Sequence, residues 1–581
     1  MWWFVVAWFI VTVPPPHGKA EWCRDVVAST IVPTRTPEVV AMFSALVALL
    51  TVAPAPASKL GDTVGKLKFT DTRSLPRTLD DFGKKKAVVL AFVNTSCPLA
   101  QRYLPTLQAL ETEYRDKGVQ FVAVNSATED TLIATATQAV KFGVEIPFVK
   151  DFDQSCAKAL GVKRTPEVVV LDESRTLRYR GRIDDQHRLR GSRAEPTSRD
   201  LKSALDAVLA GKPVTMPETE VDGCPITFTK DRKPKDVTFA EHVAPILQKH
   251  CWACHHAGGS APFSLTTYKQ AATRSDSLVE VVTDQRMPPW FATHDYGPFT
   301  NRRGLSDEER ETLGDWVKTG AAAGDLTKAP AQPAEGKKKW LVGKPDLVLD
   351  SQEFELPAAG DIPYKYAVLF HVFTADTWVR DVQITSDNPR VLHHANMAFA
   401  SVTEGFKEEN FITGYVPGGE PATLDPDTAF RIPKGSVLAL QIHFVATGKP
   451  EKCRLSVGMS YPREVVQKRL QNMQLTNKRF AIPPGAPAHK VTATKTLEND
   501  VVGVGLFSHI HLRGKDMTFT AYTPDGKTDP LLVIANYNFA WQIPYRWEPG
   551  KKRFPKGTRV ECVARFDNSP FNPYNPDPKA T

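Results

Sequence analysis

The sequence predicts a multidomain chain: an α/β block, then a small all-α block, then two all-β sandwiches. Three observations carry this. Apolar strands alternate with helical patterns up to about residue 212. A compact, mostly helical stretch surrounds Cys251-Trp252-Ala253-Cys254-His255. From Pro345 onward, short runs of alternating polarity are separated by Gly, Pro and Asp, which is all-β texture. A chain of 581 residues has room for roughly three to five domains.

Composition narrows the function classes. Hydrophobic residues at 42% and charged residues at 24% are ordinary for globular protein. The net charge of +8 is scattered, and the lysines at 84–86 and 337–339 read as solvated turns, so no nucleic-acid partner is expected. Eight cysteines are too sparse for a disulfide scaffold. Residues 1–57 carry two apolar runs, 2–13 and 42–52, both short for a bilayer span. Ala55-Pro56-Ala57 is a small-residue cleavage pattern, but neither run begins with a clear basic segment. Three readings stay open for this stretch: a targeting segment, an extension ahead of a true start at Met42, or an uncleaved apolar anchor that associates with a membrane.

The first block spans 58–212. Ala87–Val93 is a continuous apolar run and so a buried strand. A helical pattern over 101–116 stops at Gly118. Further strands are expected at 119–124, 167–171 and 177–182, a polar helix at 129–142, and a short helix closing at 157–160. This alternation implies a mostly parallel sheet with helices on both faces.

Two stretches of the block, Val93-Asn94-Thr95-Ser96-Cys97-Pro98 and Arg164-Thr165-Pro166-Glu167, resemble the redoxin branch of the thioredoxin superfamily. The resemblance implies a thioredoxin-like fold in which Cys97 opens a helix as the nucleophile and a cis Thr165–Pro166 bond faces it. Cys97, Thr165 and Pro166 are therefore the candidate catalytic residues. The chain departs from both well-known branches. Ala100 stands where thioredoxins carry the second cysteine, and Asn94 where peroxiredoxins carry threonine. A one-cysteine role, a partnership with Cys156, or a Cys97 without turnover all stay open. Cys156 reads as a buried helix residue. Cys224, in the linker over 213–236, is exposed enough to be a disulfide partner, but the sequence names no mate.

The second block spans 237–325. Its C-x-x-C-H motif has the residues and spacing of a c-type haem attachment site. Cys251 and Cys254 would add across the haem vinyl groups and His255 would ligate the iron. A zinc site would need a second C-x-x-C or an H-x₃₋₅-H pair nearby, and neither is present. Haem c is attached outside the cytosol, so the expected location is exported, periplasmic or cell-envelope. The block resembles a small cytochrome c module. Met287, in Arg286-Met287-Pro288-Pro289-Trp290, is the candidate sixth ligand, with His256 ranked below it. A helix over 239–249 precedes the motif, and Ser306-Asp307-Glu308-Glu309 is a capping box opening a helix through Trp316.

After a second linker at 326–344, the β-rich region divides into 345–480 and 481–581. Three histidine features punctuate it: His393-His394, His443 within Leu440–Phe444, and His509-Ile510-His511. Their order resembles the copper type II monooxygenases, the peptidylglycine and dopamine hydroxylases. The resemblance implies two coppers, one on His393, His394 and His443, the other on His509, His511 and a distant methionine. Residues two apart on a strand share a face, which suits His509 and His511. Adjacent His393 and His394 can both ligate only at a bulge or strand end. His371 is expected in the core. No convincing methionine follows the last strands, and Met517 is a poor substitute, so the sequence reads as truncated or the second site as incomplete.

Together these features lead to the expectation of an exported oxidoreductase. In it a c-type haem, fed by an external electron donor, serves a two-copper module that hydroxylates an unknown small-molecule or peptide substrate with dioxygen. A thiol peroxidase or reductase acting through Cys97, and a non-catalytic electron carrier or copper-holding protein, are the alternatives.

Overall fold

The structure is a computed structural model, and it describes residues 5–13, 57–189, 191–229, 232–333, 340–401 and 405–580. The expectations that fall on the 42–52 run, the Ala55-Pro56-Ala57 pattern (Ala57 itself excepted) and the lysines at 337–339 lie outside these residues.

The first block folds around a seven-stranded sheet. Its order is Pro76–Thr78, Lys68–Asp71, Phe148–Lys150, Val119–Asn125, Ala87–Val93, Glu167–Asp172, Leu177–Gly181. Odd and even residues of Ala87–Val93 serve two different cores, because successive side chains of a strand leave opposite faces of the sheet. Ala87, Val89, Ala91 and Val93 pack with the helix Pro98–Tyr114, while Val88, Leu90 and Phe92 pack with the short helix Ser155–Leu160. The expected strands and helices are present, but the sheet is mixed and not mostly parallel. Ala87–Val93 runs parallel to Val119–Asn125, and that strand parallel to Phe148–Lys150; the other pairings are antiparallel. Helical crossovers return the chain in the same direction, whereas Glu167–Asp172 and Leu177–Gly181 are joined by a tight turn that reverses it.

The second block is helical. A short π-helical turn, Phe239–Val243, leads into Ala244–His250, which ends at Cys251. Ser306 caps Asp307–Lys318 with the reciprocal Glu309 bond that the sequence predicts. Trp316 is fully buried at the centre of this block, its indole N–H donating to Ala322 O at 3.0 Å.

The β-rich region holds two hydrophobic cores, and the one built mainly beyond residue 480 also takes in Val416, Met473 and Leu475. In the first, a four-stranded sheet runs Lys365–Leu369, Ser436–Phe444, Leu392–Ser401, Gly405–Tyr415. In the second, a four-stranded sheet runs His489–Thr496, Arg559–Phe566, Gly514–Tyr522, Thr528–Ile534. A further seven-stranded sheet joins them. It includes Thr428–Ile432 and Lys468–Asn477 on one side and Val501–His509 on the other, and Val5–Val13 lies between the last two as an antiparallel partner of both. The segment read from sequence as leader or extension thus contributes a strand here, because a run of apolar β-formers fits a central sheet position as well as it fits an export signal.

The blocks interlock. Trp290, Phe291, Ala292 and Phe299, assigned by sequence to the 237–325 block, pack in the core of the last sandwich. Residues 217–229, assigned to a linker, follow the surface of the first block: Arg180 N donates to Pro217 O, Ile226 N to Lys163 O, and Gln154 to Thr227 O. No helix among the described residues is long and apolar enough to cross a membrane.

Candidate metal and thiol sites

His393 and His394 open the strand Leu392–Ser401, and His443 sits near the end of Ser436–Phe444. These strands pair antiparallel with His394 opposite His443, and the register shifts between Leu392 and His394. The irregularity at His393 is the bulge that adjacent histidines need to face one point. The candidate ligand atoms of His393, His394 and His443 all lie within 4.8 Å of one another. The Nδ1 atoms of His393 and His394 are 2.9 Å apart, and His443 Nδ1 is buried without a hydrogen-bond partner. Three imidazoles, His394 buried and His393 and His443 half-buried, with nitrogens turned on one another and one of them orphaned, fit a bound cation that accepts nitrogen ligands.

The second histidine pair faces the same chamber. His509 ends the strand Val501–His509, and its ring is 4.9 Å from that of His511 and 6.4 Å from that of His394. Phe539 lies between the groups, with its ring centroid 5.6 Å from His393, 6.4 Å from His443 and 5.8 Å from His511. Burial, then the neighbouring imidazoles, hold these rings neutral: His393 falls to about 4, His394 to about 2 and His511 to about 4. Neutral imidazole is the metal-binding form.

Three residues that the sequence reading missed complete the chamber. Gln542, almost fully buried, meets His509 Nδ1 through Oε1 at 2.5 Å. The Tyr364 hydroxyl is 3.4 Å from His394 Nε2, and its ring stacks on His443 at 4.9 Å. Phe539 is the third. A lone Gln, Tyr or Phe carries no spacing signal, so no sequence pattern marked them. Met517 is fully buried in the core of the last sandwich, opposite Ile534, which agrees with its rank as a poor ligand. His371 is half-buried in a loop against Phe373 and is not a core residue, since the strand expected to carry it stops at Leu369.

At the C-x-x-C-H motif, Cys251, Cys254 and His255 occupy one turn, His255 N donating to Cys251 O at 2.8 Å. His255 Nδ1 is 3.0 Å from Phe263 O, which orients the ring and leaves Nε2 for iron. The two free thiols and the oriented imidazole fit haem attachment. The His256 ring turns back onto Trp252 O at 2.9 Å, consistent with its lower rank. Met287 is half-buried in the loop after Ser275–Thr283, its N–H donating to Val281 O, and the Met287–Pro288 bond is cis.

The motif lies against the first sandwich. A Cβ placed on Gly418 would sit 2.9 Å from Cys254 Sγ, and Arg303 donates to Gly418 O at 2.6 Å. Tyr415, whose hydroxyl burial and then Cys254 push up to about 12, is the cross-strand partner of Ala395, next to His394. Cys254 and the histidine chamber therefore meet adjacent strands of one sheet.

In the first block, Cys97 precedes the helix Pro98–Tyr114 and is 1% exposed. Its N–H donates to Asn94 Oδ1 at 3.0 Å, and its Sγ donates to Thr165 O at 3.2 Å. The Thr165–Pro166 bond is cis, as the resemblance implies. Burial opposes the thiolate, but hydrogen bonds from the Cys224 thiol, the Ala100 and Cys224 N–H groups and the Thr165 hydroxyl outweigh it and lower Cys97 below an ordinary thiol. Cys156 is on the opposite face of the sheet, bonded to Lys68 O at 3.2 Å, and burial pushes its thiol up, so it is a core residue and not a partner for Cys97.

Comparison with known proteins agrees with this block. The family model described as Redoxin matches residues 55–196. Thiol-disulfide oxidoreductase ResA of Halalkalibacterium halodurans is 28% identical over 88 residues, 15% of this chain and 49% of that protein. Its namesake in Geobacillus kaustophilus is 27% identical over 118 residues, 20% of this chain and 66% of that protein. The chain thus spans about half to two-thirds of the length of these relatives. Among solved structures, a hypothetical protein of Sinorhizobium meliloti is 31% identical, with 30% of this chain and 97% of that one covered and a TM-score of 0.28. A conserved protein of Geobacillus kaustophilus is 28% identical, with 30% and 94% covered and a TM-score of 0.28.

Proposed function

We propose that the segment matched by the Redoxin model, residues 55–196, works as a redoxin domain within a larger multidomain redox chain. We propose that the whole chain is an exported, periplasmic or cell-envelope oxidoreductase. It holds a c-type haem on Cys251, Cys254 and His255, with Met287 as sixth ligand, and copper in its histidine chamber. Its reaction is hydroxylation of a C–H bond, in a small-molecule or peptide substrate, with dioxygen. The observation that carries this reading is the gathering of five histidines from two sandwiches, four of them against Phe539 and His509 against His394 and His511, beside the strand that meets Cys254. When bound, the haem supplies electrons from an external donor and the copper supplies the dioxygen chemistry.

The chain's own residues have distinct tasks. Phe263 O fixes the orientation of His255. The bulge at His393 turns two neighbouring imidazoles toward His443. Gln542 and Tyr364 orient His509 and His394, as partners of metal-binding imidazoles do. Phe539 stacks between the two histidine groups, on His393 from one side and His511 from the other. A second reading, thiol–disulfide or peroxide chemistry at Cys97, is favoured by the redoxin match and by the hydrogen bonds that support the Cys97 thiolate. A copper-holding protein without turnover is favoured by the burial of Met517 in the core, away from the H-x-H pair.

Metal and haem content of protein exported through a haem-maturation-competent host tests the proposal. One covalent haem and two coppers per chain are expected, with copper reduced in His394→Ala and in His509→Ala. One haem and no copper would contradict the oxygenase reading.

A further inference from the structure

The linker cysteine that the sequence left without a mate lies at Cys97. Cys224–Pro225 forms a two-residue strand antiparallel to Arg164–Thr165, with Cys224 directly opposite Thr165. Thr165 O is also the acceptor of the Cys97 thiol, at 3.2 Å. Each thiol perturbs the other's acidity, Cys224 lowering Cys97 and Cys97 raising Cys224. Both are free thiols, and Cys224 packs against the same core cluster as Cys97 while remaining half-exposed.

The strand that presents Cys224 is anchored on both sides. Arg164 donates to Gly223 O at 2.6 Å, and Ile226 N donates to Lys163 O at 2.8 Å. Gly223 passes so close to Thr165 that a Cβ there would sit 2.4 Å from its carbonyl oxygen. Only glycine permits that approach without displacing backbone.

We infer that Cys97 and Cys224 are a redox-active pair, with Cys97 the attacking thiol and Cys224 the resolving thiol, acting on disulfide substrates. The pair replaces the C-x-x-C that Ala100 abolishes, and it is assembled from two segments 127 positions apart in the sequence (224 − 97). The short Cys224 strand covers Cys97 and lifts to admit the substrate. The Cys97 thiolate attacks one sulfur of an R–S–S–R′ disulfide, forming a mixed disulfide and releasing R′S⁻, which takes up a proton. Cys224 then loses its proton and attacks Cys97 Sγ, closing the Cys97–Cys224 disulfide and releasing RS⁻. One disulfide is reduced to two thiols and two protein thiols are oxidised to one disulfide, so atoms and electrons balance. The asymmetry of the pair agrees: hydrogen bonding lowers Cys97, while burial and then Cys97 itself push Cys224 up to about 11.

The test treats full-length protein with oxidised glutathione, blocks remaining thiols with an alkylating reagent, and maps the peptides by mass spectrometry. Wild type is expected to yield a Cys97–Cys224 cross-linked peptide that dithiothreitol reverses. Cys224→Ser is expected to lose that peptide and to accumulate glutathione on Cys97. Cys97→Ser is expected to show neither cross-link nor glutathione uptake at Cys224. Gly223→Ala, which keeps both thiols, is expected to slow closure. A wild type that retains glutathione on Cys97, that closes Cys97 onto Cys156, or in which both thiols stay reduced would overturn the inference. So would glutathione trapped on Cys224 and not on Cys97 across the two serine variants. Unchanged haem content and thermal transition in each variant shows that the fold is intact.

Discussion

His393 and His394 would leave opposite faces of a regular strand, and the register slip at Leu392–His394 is what turns both toward His443. At this scale the histidines that the structure brings together were legible in the sequence, because paired and alternating histidines carry spacing. The residues that aim them were not, because Gln542 and Tyr364 reach the chamber through tertiary folding alone. Gln542→Ala removes the partner of His509 Nδ1 and is expected to weaken copper binding at the second pair by about 10–100-fold, read by competition with a copper chelator. Gly418 is a second sensitive position, with φ +68° and Cys254 Sγ against it. Gly418→Ala there meets both a backbone cost of about 1 kcal/mol and a clash with Cys254 Sγ. Lower covalent haem yield at unchanged protein yield is the expected outcome, measured by the haem absorbance per chain.

The helix Asp307–Lys318 shows how an element can be legible in full. Its capping box and its run through Trp316 follow from local sequence, and the structure contains both, with Trp316 buried in the core of the block. Trp316→Ala is expected to cost about 3–5 kcal/mol of that block's stability, seen as a lowered denaturation midpoint. Glu309 also ties this helix to Lys249 and His250, just before the C-x-x-C-H motif. Burial opposes its charged form, but Lys249, the Ser306 N–H and His250 outweigh burial and lower its carboxyl to about 2. A depressed carboxyl stabilises the fold above its unfolded value near 4.5, and that contribution is lost as pH falls toward 2. Glu309→Gln is therefore expected to destabilise the block at neutral pH and to flatten its acid sensitivity between about pH 5 and 2, in thermal melts across that range. The strand Val5–Val13 was the element least legible, since apolar runs near a terminus read equally as export signal and as strand. Deleting residues 1–13 exposes Lys468–Asn477 and Val501–His509 along their paired edges. A lower melting temperature and concentration-dependent association are the expected results, by calorimetry and light scattering.

On the scale of the whole molecule, the blocks are not beads on a string. Arg73 pairs with Asp567 at 2.8 Å, Phe82 stacks on Phe571, and Ser74 and Ile133 bond to Asp284 O and Gln285 Oε1. Block boundaries drawn from composition miss this, because composition marks where chain texture changes and not which surfaces meet. The placement of 217–229 on the redoxin domain and of Trp290–Phe299 in the last sandwich core illustrates the limit. Asp567→Ala leaves the buried Arg73 charge unpaired and is expected to cost about 3–5 kcal/mol, splitting the redoxin and C-terminal sandwich transitions in a denaturant titration.

The proposed copper chamber draws five histidines from two sandwiches. Electron paramagnetic resonance of the full-length protein titrated with Cu(II) tests it most directly. A nitrogen-ligated signal that saturates at two equivalents is expected, with one component abolished in His443→Ala and the other in His511→Ala. A signal unchanged by both substitutions, or one that never shows nitrogen hyperfine structure, would contradict it.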